Sequence, residues 1–269
     1  MRGGAAAFSR LPVFRASRCG GDGLLTVVAW LFGLVIGSFL NVVIHRVPLR
    51  ESVAWPGSKC PECGTSISPK DNIPVLSYLL LRGRCRNCGA CISARYPLVE
   101  AATGVLFALA AYRFGVSLEL AAALVLILAV VSLAMTDLEH RLLPNAIVGP
   151  AAAAGLALSV AARPEWWWVY PVCALAAAGG LFAIALFYPG GMGMGDVKMA
   201  GMLGCFLGPY ALLAVFIGAL AGAAVSGVLM AAGRIGRRTH IPFGTFMSLG
   251  GLAALFIGPW LWGGYLGMF

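Results

Sequence analysis

Apolar runs long enough to cross a bilayer dominate this chain and restrict the folds open to it. A transmembrane helix needs about 20 predominantly apolar residues, and candidate segments recur along most of the sequence. They are Leu24–Ile44, Leu98–Phe114, Leu118–Thr136, Ala146–Ala162, Trp168–Tyr188, Val197–Leu207, Tyr210–Ala232 and Phe243–Tyr265. Charged residues make up 11% of the chain, against about 25% in a soluble domain. The sequence therefore predicts an all-α polytopic membrane protein with about eight transmembrane helices.

The sixth and seventh segments are separated because together they are too long. As one helix, Val197–Ala232 would be roughly 54 Å long at ~1.5 Å per residue. The hydrocarbon core of a bilayer is only about 30 Å thick. Gly208–Pro209 is the predicted break, because proline cannot continue the helical hydrogen-bond ladder. This division leaves the sixth segment short.

Basic residues predict the orientation of these helices. The loop from His45 to Tyr96 is rich in arginine and lysine, and a second loop carries Arg234, Arg237 and Arg238. The positive-inside rule places both loops in the cytoplasm, and a count of eight spans permits this. The net charge of +9 is then explained by loops that face anionic lipid headgroups. No basic stripe with interleaved aromatic residues is visible, which argues against nucleic acid as a partner.

This topology divides the chain into four regions. Residues 1–23 are predicted to be a disordered tail, whose four arginines lie on the outside against the rule. Residues 24–44 form the first transmembrane helix, and residues 45–96 form a cytoplasmic insert. Residues 97–269 form the membrane core. The insert is small and polar, so it is expected to need a metal or a cross-link for its stability.

Two C-x-x-C-G motifs in the insert predict a metal site of the zinc-knuckle type. The four thiols belong to Cys60 and Cys63 in the first motif and to Cys85 and Cys88 in the second. Four thiolates complete a tetrahedral structural zinc site. The alternatives are a disulfide pair or a redox motif; a cytoplasmic loop disfavours the first, and the doubling of the motif disfavours the second. Cys91 is a fifth nearby thiol that could be a spare or alternative ligand.

Two aspartates stand at the ends of apolar segments. Asp137 follows the third segment, and Asp196 follows the flexible turn Gly193-Met194-Gly195. An ionisable group at a membrane boundary is a functional-site hypothesis by default. Each also has a structural explanation, since Asp137 could pair with Arg141 one helical turn later and Asp196 could cap a helix. The predicted topology puts both carboxylates at the cytoplasmic face, where they could form a hydrolytic pair.

Other polar residues near these segments have weaker functional signals. Glu139 and Lys198 lie two positions from the aspartates, a spacing that turns them away from the aspartates' helical face. Glu100 lies just inside the second segment and needs a partner there, which a structural ion pair would supply. Ser38 and Asn41 share one face of the first segment, where interhelical hydrogen bonding is favoured over a catalytic role.

Taken together, the motifs resemble those of the bacterial type IV prepilin leader peptidases. The matching segments occur in order between about Leu24 and Lys198. They are Gly37-Ser38-Phe39-Leu40-Asn41 with Arg46-Val47-Pro48, the doubled C-x-x-C, Arg95-Tyr96-Pro97-Leu98-Val99-Glu100, Asp137 with Leu143-Pro144-Asn145, and Gly193-Met194-Gly195-Asp196-Val197-Lys198. Two features depart from that pattern: Cys91, where proline or another small residue is expected, and the arginine-rich N-terminal tail.

The resemblance implies an aspartyl endopeptidase of the inner, cytoplasmic membrane. It would cut the leader peptides of type IV prepilins or type II secretion pseudopilins on the cytoplasmic side, with Asp137 and Asp196 as its catalytic pair. Gly193, Gly195, Lys198 and Glu100 would support the site or the substrate. Zinc would be a structural cofactor, and S-adenosylmethionine a second cofactor in members that also methylate the new N-terminus.

The chemistry of a close aspartate pair is consistent with this activity. Two neighbouring carboxyls share one proton. The ionised carboxylate takes a proton from the attacking water, and the protonated one supports the developing oxyanion and later the leaving amine. Two other functions remain open at this point. One is an intramembrane protease of the presenilin or signal-peptide-peptidase type, which lacks such a cysteine insert. The other is a non-enzymatic transporter or metal-binding scaffold, for which symmetric broken helices would be expected.

Overall fold

The computed structural model describes residues 22–187, 192–234, 236 and 241–266, with side chains described as far as residue 261. Regular structure in these ranges is helical apart from two isolated β-bridges. Short 3₁₀ turns cover Pro69–Asp71 and Pro164–Trp166. The α-helices are α1 Gly23–Arg46, α2 Leu76–Leu80, α3 Arg95–Phe114, α4 Leu118–His140, α5 Asn145–Ala162, α6 Val169–Phe187, α7 Met194–Leu207, α8 Tyr210–Ala231 and α9 Phe243–Leu266.

Within the described ranges, seven helices are long and apolar enough to cross a membrane. They are α1, α3, α4, α5, α6, α8 and the first part of α9, Phe243–Leu261. The predicted all-helical polytopic fold is therefore confirmed. The predicted tail falls almost entirely on residues 1–21, which lie outside the described residues.

The helix α7 is the short segment that the sequence predicted. It has 14 residues, or about 21 Å, and it ends at the predicted break. Gly208 has a φ of 53°, a left-handed conformation that glycine adopts without steric penalty. Pro209 then precedes the first residue of α8. The chain thus turns between two helices where one continuous helix would have been too long.

The described residues fall into two compact units, one up to Val116 and one from Ser117 onward. In the first unit, α1 and α3 pack at very short range through glycines. A methyl group at Gly33 would lie 2.8 Å from the Cα of Gly104, and one at Gly37 would lie 2.7 Å from the Cα of Glu100. Since nothing larger than hydrogen fits, these glycines permit the close backbone approach that is typical of helix pairs in lipid.

In the second unit, α7 is the central helix. It packs against α4, α5, α6, α8 and α9, and Met199, Leu203 and Phe206 on it are completely buried. Glycines again set the distance between helices, because a methyl group at Gly204 would overlap the backbone of Ala174 in α6. The surrounding helices therefore hold α7, and the turn that precedes it, in a defined position.

Candidate active site and metal centre

Asp137 lies in the last turn of α4, and only 6% of its surface is exposed. The helix ends at Arg141, which adopts a left-handed conformation and donates its N–H to the carbonyl of Asp137 at 2.9 Å. The carboxylate is held by the start of α9. The backbone N–H of Thr245 donates to Asp137 Oδ2 at 2.8 Å, and the Thr245 hydroxyl lies 3.3 Å from the same oxygen.

Asp196 lies in the first turn of α7, where it closes a reciprocal pair of hydrogen bonds with Gly193. The Gly193 N–H donates to Asp196 Oδ2 at 3.2 Å, and the Asp196 N–H donates to the Gly193 carbonyl at 3.1 Å. The first of these bonds is one half of a capping box, with the aspartate at the third helical position, and Gly193 has no side chain to form the other half. The Gly-Met-Gly-Asp sequence therefore places a carboxyl group at the N-terminal end of the central helix, α7.

Leu143 connects the surroundings of the two carboxyl groups. A methyl group at Gly195 would lie 3.1 Å from the Cβ of Leu143, and one at Gly244 would lie 2.9 Å from its Cδ2 and 3.0 Å from Asp137 Oδ2. The charge of Asp137 acts electrostatically on the carboxyl of Asp196. The structure thus brings Asp137 and Asp196 into one site, although they lie on different helices.

Lys198 does not contact either carboxyl group through any hydrogen bond found in the described part of the chain. Its Nζ donates to the side-chain oxygen of Asn145 at 3.1 Å. This bond joins the first turn of α7 to the first residue of α5. Glu139 lies beside His140, with 3.9 Å between Glu139 Oε2 and His140 Nε2. The absence of Lys198 and Glu139 from the aspartate pair stays a prediction.

Glu100 belongs to the first unit, where it is buried at 8% exposure. Its Oε2 accepts a hydrogen bond from the Val75 N–H at 2.7 Å, and its carboxylate also accepts one from the Ser38 hydroxyl. Val75 has a φ of 60°, an uncommon conformation for a β-branched residue. Asn41, on the same face of α1 as Ser38, donates to the Tyr96 carbonyl at 3.2 Å. These bonds tie the insert and α1 to α3.

Sequence reasoning missed two residues of the aspartate site, Thr245 and Gly244, which sit in ordinary apolar sequence. Leu143 was quoted only as part of the motif with Pro144 and Asn145, without a role of its own. One signal was available for Thr245 and Gly244, because they open the last apolar run. The first amides of a helix have no intrahelical partner and attract a carboxylate. Nothing in the sequence indicated which carboxylate that would be.

The four cysteines of the insert form one cluster. The sulfur atoms of Cys60, Cys63, Cys85 and Cys88 all lie within 4.8 Å of one another. This separation suits four thiolates around one ion, since metal–sulfur bonds in structural zinc sites are about 2.3 Å long. The cluster combines both C-x-x-C motifs, and it could hold a metal ion.

The two C-x-x-C-G motifs have the same backbone geometry. Gly64 and Gly89 adopt φ values of 69° and 73°, and each donates its N–H to the carbonyl of the first cysteine of its motif at 2.9 Å. The amides of Cys60 and Cys85 donate in turn to the carbonyls of Thr65 and Ala90. The glycine is required for this turn because its left-handed conformation is unfavourable for other residues.

Hydrogen bonds favour the thiolate form of one cysteine in each motif, whereas desolvation and the neighbouring sulfur atoms raise the pKa of the Cys88 thiol to about 12. The side chain of Thr65 is the main cause that lowers the pKa of the Cys63 thiol to about 6. Backbone hydrogen bonds from Cys88 and Asn87 lower the pKa of Cys85. The thiolate is the form that binds metals. Cys91 is exposed and falls outside the cluster, and its backbone forms a β-bridge with Arg84.

Comparison with known proteins gives consistent matches over most of the chain. Residues 31–114 match the Bacterial Peptidase A24 N-terminal domain, and residues 124–228 match the Type IV leader peptidase family. A protein of Myxococcus xanthus (strain DK1622) named "Prepilin leader peptidase/N-methyltransferase" is 44% identical over 227 residues, covering 81% of this chain and 67% of the relative.

Two further proteins with the same name are similar over nearly the whole chain. The one from Burkholderia pseudomallei (strain 1026b) is 36% identical over 293 residues, covering 95% of this chain and 90% of the relative. The one from Bacillus subtilis (strain 168) is 39% identical over 241 residues, covering 86% and 94%. No solved structure matches this chain.

Proposed function

Since this chain belongs to the type IV leader peptidase family, we propose that it is an aspartyl endopeptidase that removes leader peptides from type IV prepilins or type II secretion pseudopilins. Asp137 and Asp196 are the proposed catalytic pair. The observation that carries this assignment is the meeting of two carboxyl groups from α4 and α7 in one site. The doubled cysteine motif and the family membership argue against the presenilin-type and transporter alternatives.

Hydrolysis by this pair needs one proton between two carboxyls. Neighbouring carboxylates disfavour double ionisation, so the pair is active in the pH range where it retains one shared proton. The ionised carboxylate activates a water molecule that attacks the scissile carbonyl carbon. The protonated carboxyl stabilises the developing oxyanion by donating to it, and the pair protonates the leaving amine when the carbon–nitrogen bond breaks.

Glycines leave room for a polypeptide beside this pair. Gly193 is exposed, and the nearest groups to a methyl placed there are the Asp196 carboxylate and the backbone of Gly195. An extended substrate could therefore approach the backbone in front of the central helix. We assign Lys198 a supporting role, because its bond to Asn145 holds the first turn of α7 in place. Glu100 supports the insert through Val75.

The insert is proposed to hold one structural zinc ion. The residues fit it, since four thiols converge and Cys63 and Cys85 have lowered pKa values. Zinc with four cysteine ligands has no open coordination position and acts through folding stability. The residues of the insert would thus be ordered by the metal, and the hydrolytic chemistry stays with the aspartates.

The relatives' names also include N-methyltransferase, so we propose methylation of the new N-terminus as a second activity. It would use S-adenosylmethionine as methyl donor. A narrow cleft lies in the second unit, lined by Glu119, Ser159, Arg163, Tyr170 and Phe206 among others, with room for about one water molecule. It does not fit this cofactor, which needs a far larger pocket.

Cleavage of a co-expressed prepilin tests the proposed function directly. Cells that produce this chain and a prepilin should accumulate the shortened pilin, which gel mobility and N-terminal sequencing would detect. A bacterial host without its own leader peptidase provides the background. Failure to process any prepilin or pseudopilin, with the protein present in the membrane, would exclude the proposal.

The proposed inner-membrane topology places the active site in the cytoplasm. We expect a cysteine introduced at His140 to be protected from an impermeant thiol reagent in intact cells, and one at Glu165 to be labelled. Both residues are exposed, and the two positions flank α5, so they lie on opposite sides if α5 crosses the membrane. Cysteines introduced in the insert or at Arg237 should be protected like the one at His140, and a cysteine at Phe269 should be labelled like the one at Glu165. Arg237 and Phe269 lie outside the described residues.

The outcome that contradicts this topology is labelling of His140 from outside. The measurement needs a chain in which the cysteines outside the two C-x-x-C motifs, Cys19, Cys91, Cys173 and Cys205, are replaced by serine. Permeabilised cells supply the control, because both introduced cysteines should then react. If His140 is reached from outside, Asp137 cannot serve a cleavage site that is exposed in the cytoplasm.

Gly244→Ala is expected to lower cleavage about 10- to 100-fold, because small displacements of a catalytic group have effects of that order. The added methyl would lie 3.0 Å from Asp137 Oδ2 and 2.9 Å from Leu143 Cδ2, so the carboxylate must shift. Gly227→Ala is the matched control, since no heavy atom lies within 4 Å of its added methyl. Equal cleavage rates for both variants would contradict the proposed position of Asp137.

A further inference from the structure

The two aspartates receive unequal support from their surroundings. Asp137 Oδ2 accepts the Thr245 N–H at 2.8 Å, with the Thr245 hydroxyl 3.3 Å away, and the Gly244 amide adds a further donor to the carboxylate. The hydrogen bond that the structure describes for the Asp196 carboxyl is the one from Gly193 at 3.2 Å. Donors aimed at a carboxylate favour its charged form.

Both carboxyls lie beside the start of a helix. Asp137 faces the first turn of α9, and Asp196 lies in the first turn of α7, and a positive helix end favours negative charge in either place. Asp137 also lies in the last turn of α4, whose negative end opposes a charge on it. Hydrogen bonds therefore have to support the ionised form of Asp137, and Thr245 supplies two of them.

The Thr245 hydroxyl has a single hydrogen and two possible acceptors. Its Oγ1 lies 3.1 Å from the Ala134 carbonyl in α4 and 3.3 Å from Asp137 Oδ2. When Asp137 is ionised, the hydrogen is attracted to the carboxylate, because charge-assisted hydrogen bonds are stronger than neutral ones. When Asp137 is protonated, the hydrogen can turn to Ala134. The hydroxyl is thus satisfied in both states and stabilises the ionised state more.

We propose that Thr245 is a positioning residue that keeps the negative charge of the pair on Asp137, so that Asp137 activates the water and Asp196 carries the shared proton. This inference rests on the proposed function and divides its chemistry between the two groups. Asp137 takes a proton from water as the oxygen–carbon bond forms, and Asp196 gives its proton to the carbonyl oxygen. When the carbon–nitrogen bond breaks, the proton on Asp137 passes to the leaving amine and the diol returns a proton to Asp196.

The charged groups around Asp137 do not reverse this assignment. Arg141 follows α4, and its charge acts on Asp137. From α7 come Asp196, which is the partner, and Lys198, which is bound to Asn145. On α4 itself, Glu139 lies beside His140. The helices α5 and α9 contribute no acidic or basic side chain.

The pH dependence of cleavage by the purified enzyme tests this proposal. Thr245→Val keeps the backbone N–H but removes the hydroxyl donor, so ionisation of Asp137 should require a higher pH. The acidic limb of kcat should move upward by about one pH unit, the lower end of the shift that corresponds to one hydrogen bond to a charged group. Thr245→Ser keeps the hydroxyl and should leave both limbs in place.

The two possible assignments of base and acid to Asp137 and Asp196 predict shifts in different limbs of the pH profile. If Asp196 were the base and Asp137 the acid, Thr245→Val would move the alkaline limb upward and leave the acidic limb unchanged. That result, or two unchanged limbs, would overturn the proposal. If Thr245→Val does not accumulate in the membrane, Thr245→Ala must show the same acidic shift. Activity that returns at higher pH would show that the variant is folded.

This test separates the inference from the function on which it rests. If Thr245→Val has a normal profile while Asp137→Asn and Asp196→Asn are inactive, the dyad stands and the role of Thr245 is wrong. If the aspartate variants retain activity, the dyad itself is wrong, whatever the profile of Thr245→Val.

Discussion

Asp137→Asn and Asp196→Asn are each expected to abolish leader cleavage while the protein still accumulates in the membrane. An amide can neither take the proton of the attacking water nor share a proton with its partner. General acid–base catalysis contributes about 10²–10⁴-fold, so a loss of about 10³-fold or more is expected for each variant. The measurement is the rate of conversion of a prepilin to its shortened form, at equal amounts of membrane protein.

Glu139→Gln is the matched control for this experiment. It also replaces a carboxylate by an amide in the last turn of α4, but its side chain lies beside His140, two positions along the chain from Asp137. Cleavage should be retained. The losses of cleavage rate in the two aspartate variants should not add in the double variant, because either change alone disables the pair. Wild-type processing by either single variant would remove that aspartate from the mechanism.

Cys60→Ser is expected to eliminate the metal of the insert. Purified wild-type protein should contain about one zinc ion per chain, and the variant should contain much less than one, because three thiolates no longer complete the site. Structural zinc contributes about 10–16 kcal/mol to the folding of isolated zinc fingers, so the insert should lose its compact structure. Zinc analysis and protease sensitivity of the loop between residues 45 and 96 measure the two effects.

Cys91→Ser is the control for the metal prediction. Cys91 lies in the same insert but outside the four-sulfur cluster, so its replacement should leave the zinc content unchanged. Leader cleavage should remain measurable in Cys60→Ser, because Asp137 and Asp196 belong to the other unit. A full equivalent of zinc in Cys60→Ser, or none in the wild type, would contradict the assignment of the ligands.

Features that depend on short stretches of chain were predictable from the sequence. The transmembrane helices follow from apolar runs of sufficient length, and the break between α7 and α8 follows from the backbone chemistry of Gly208 and Pro209. The cysteine cluster follows from two motifs that each form their own turn around a glycine. In each case the causes lie within one short segment, although the tertiary structure also had to bring the two cysteine motifs together.

Only the tertiary structure decided how the aspartates are supported. Thr245 donates to Asp137 across a separation of 108 residues, and Lys198 donates to Asn145 across 53. Such partners depend on how α4, α5, α7 and α9 pack around one another, and no local pattern specifies that packing. The sequence by itself determined which residue types could perform hydrolysis. The packing of the helices decided which donors surround each carboxyl group, because hydrogen bonds form only between groups that the fold brings within about 3 Å.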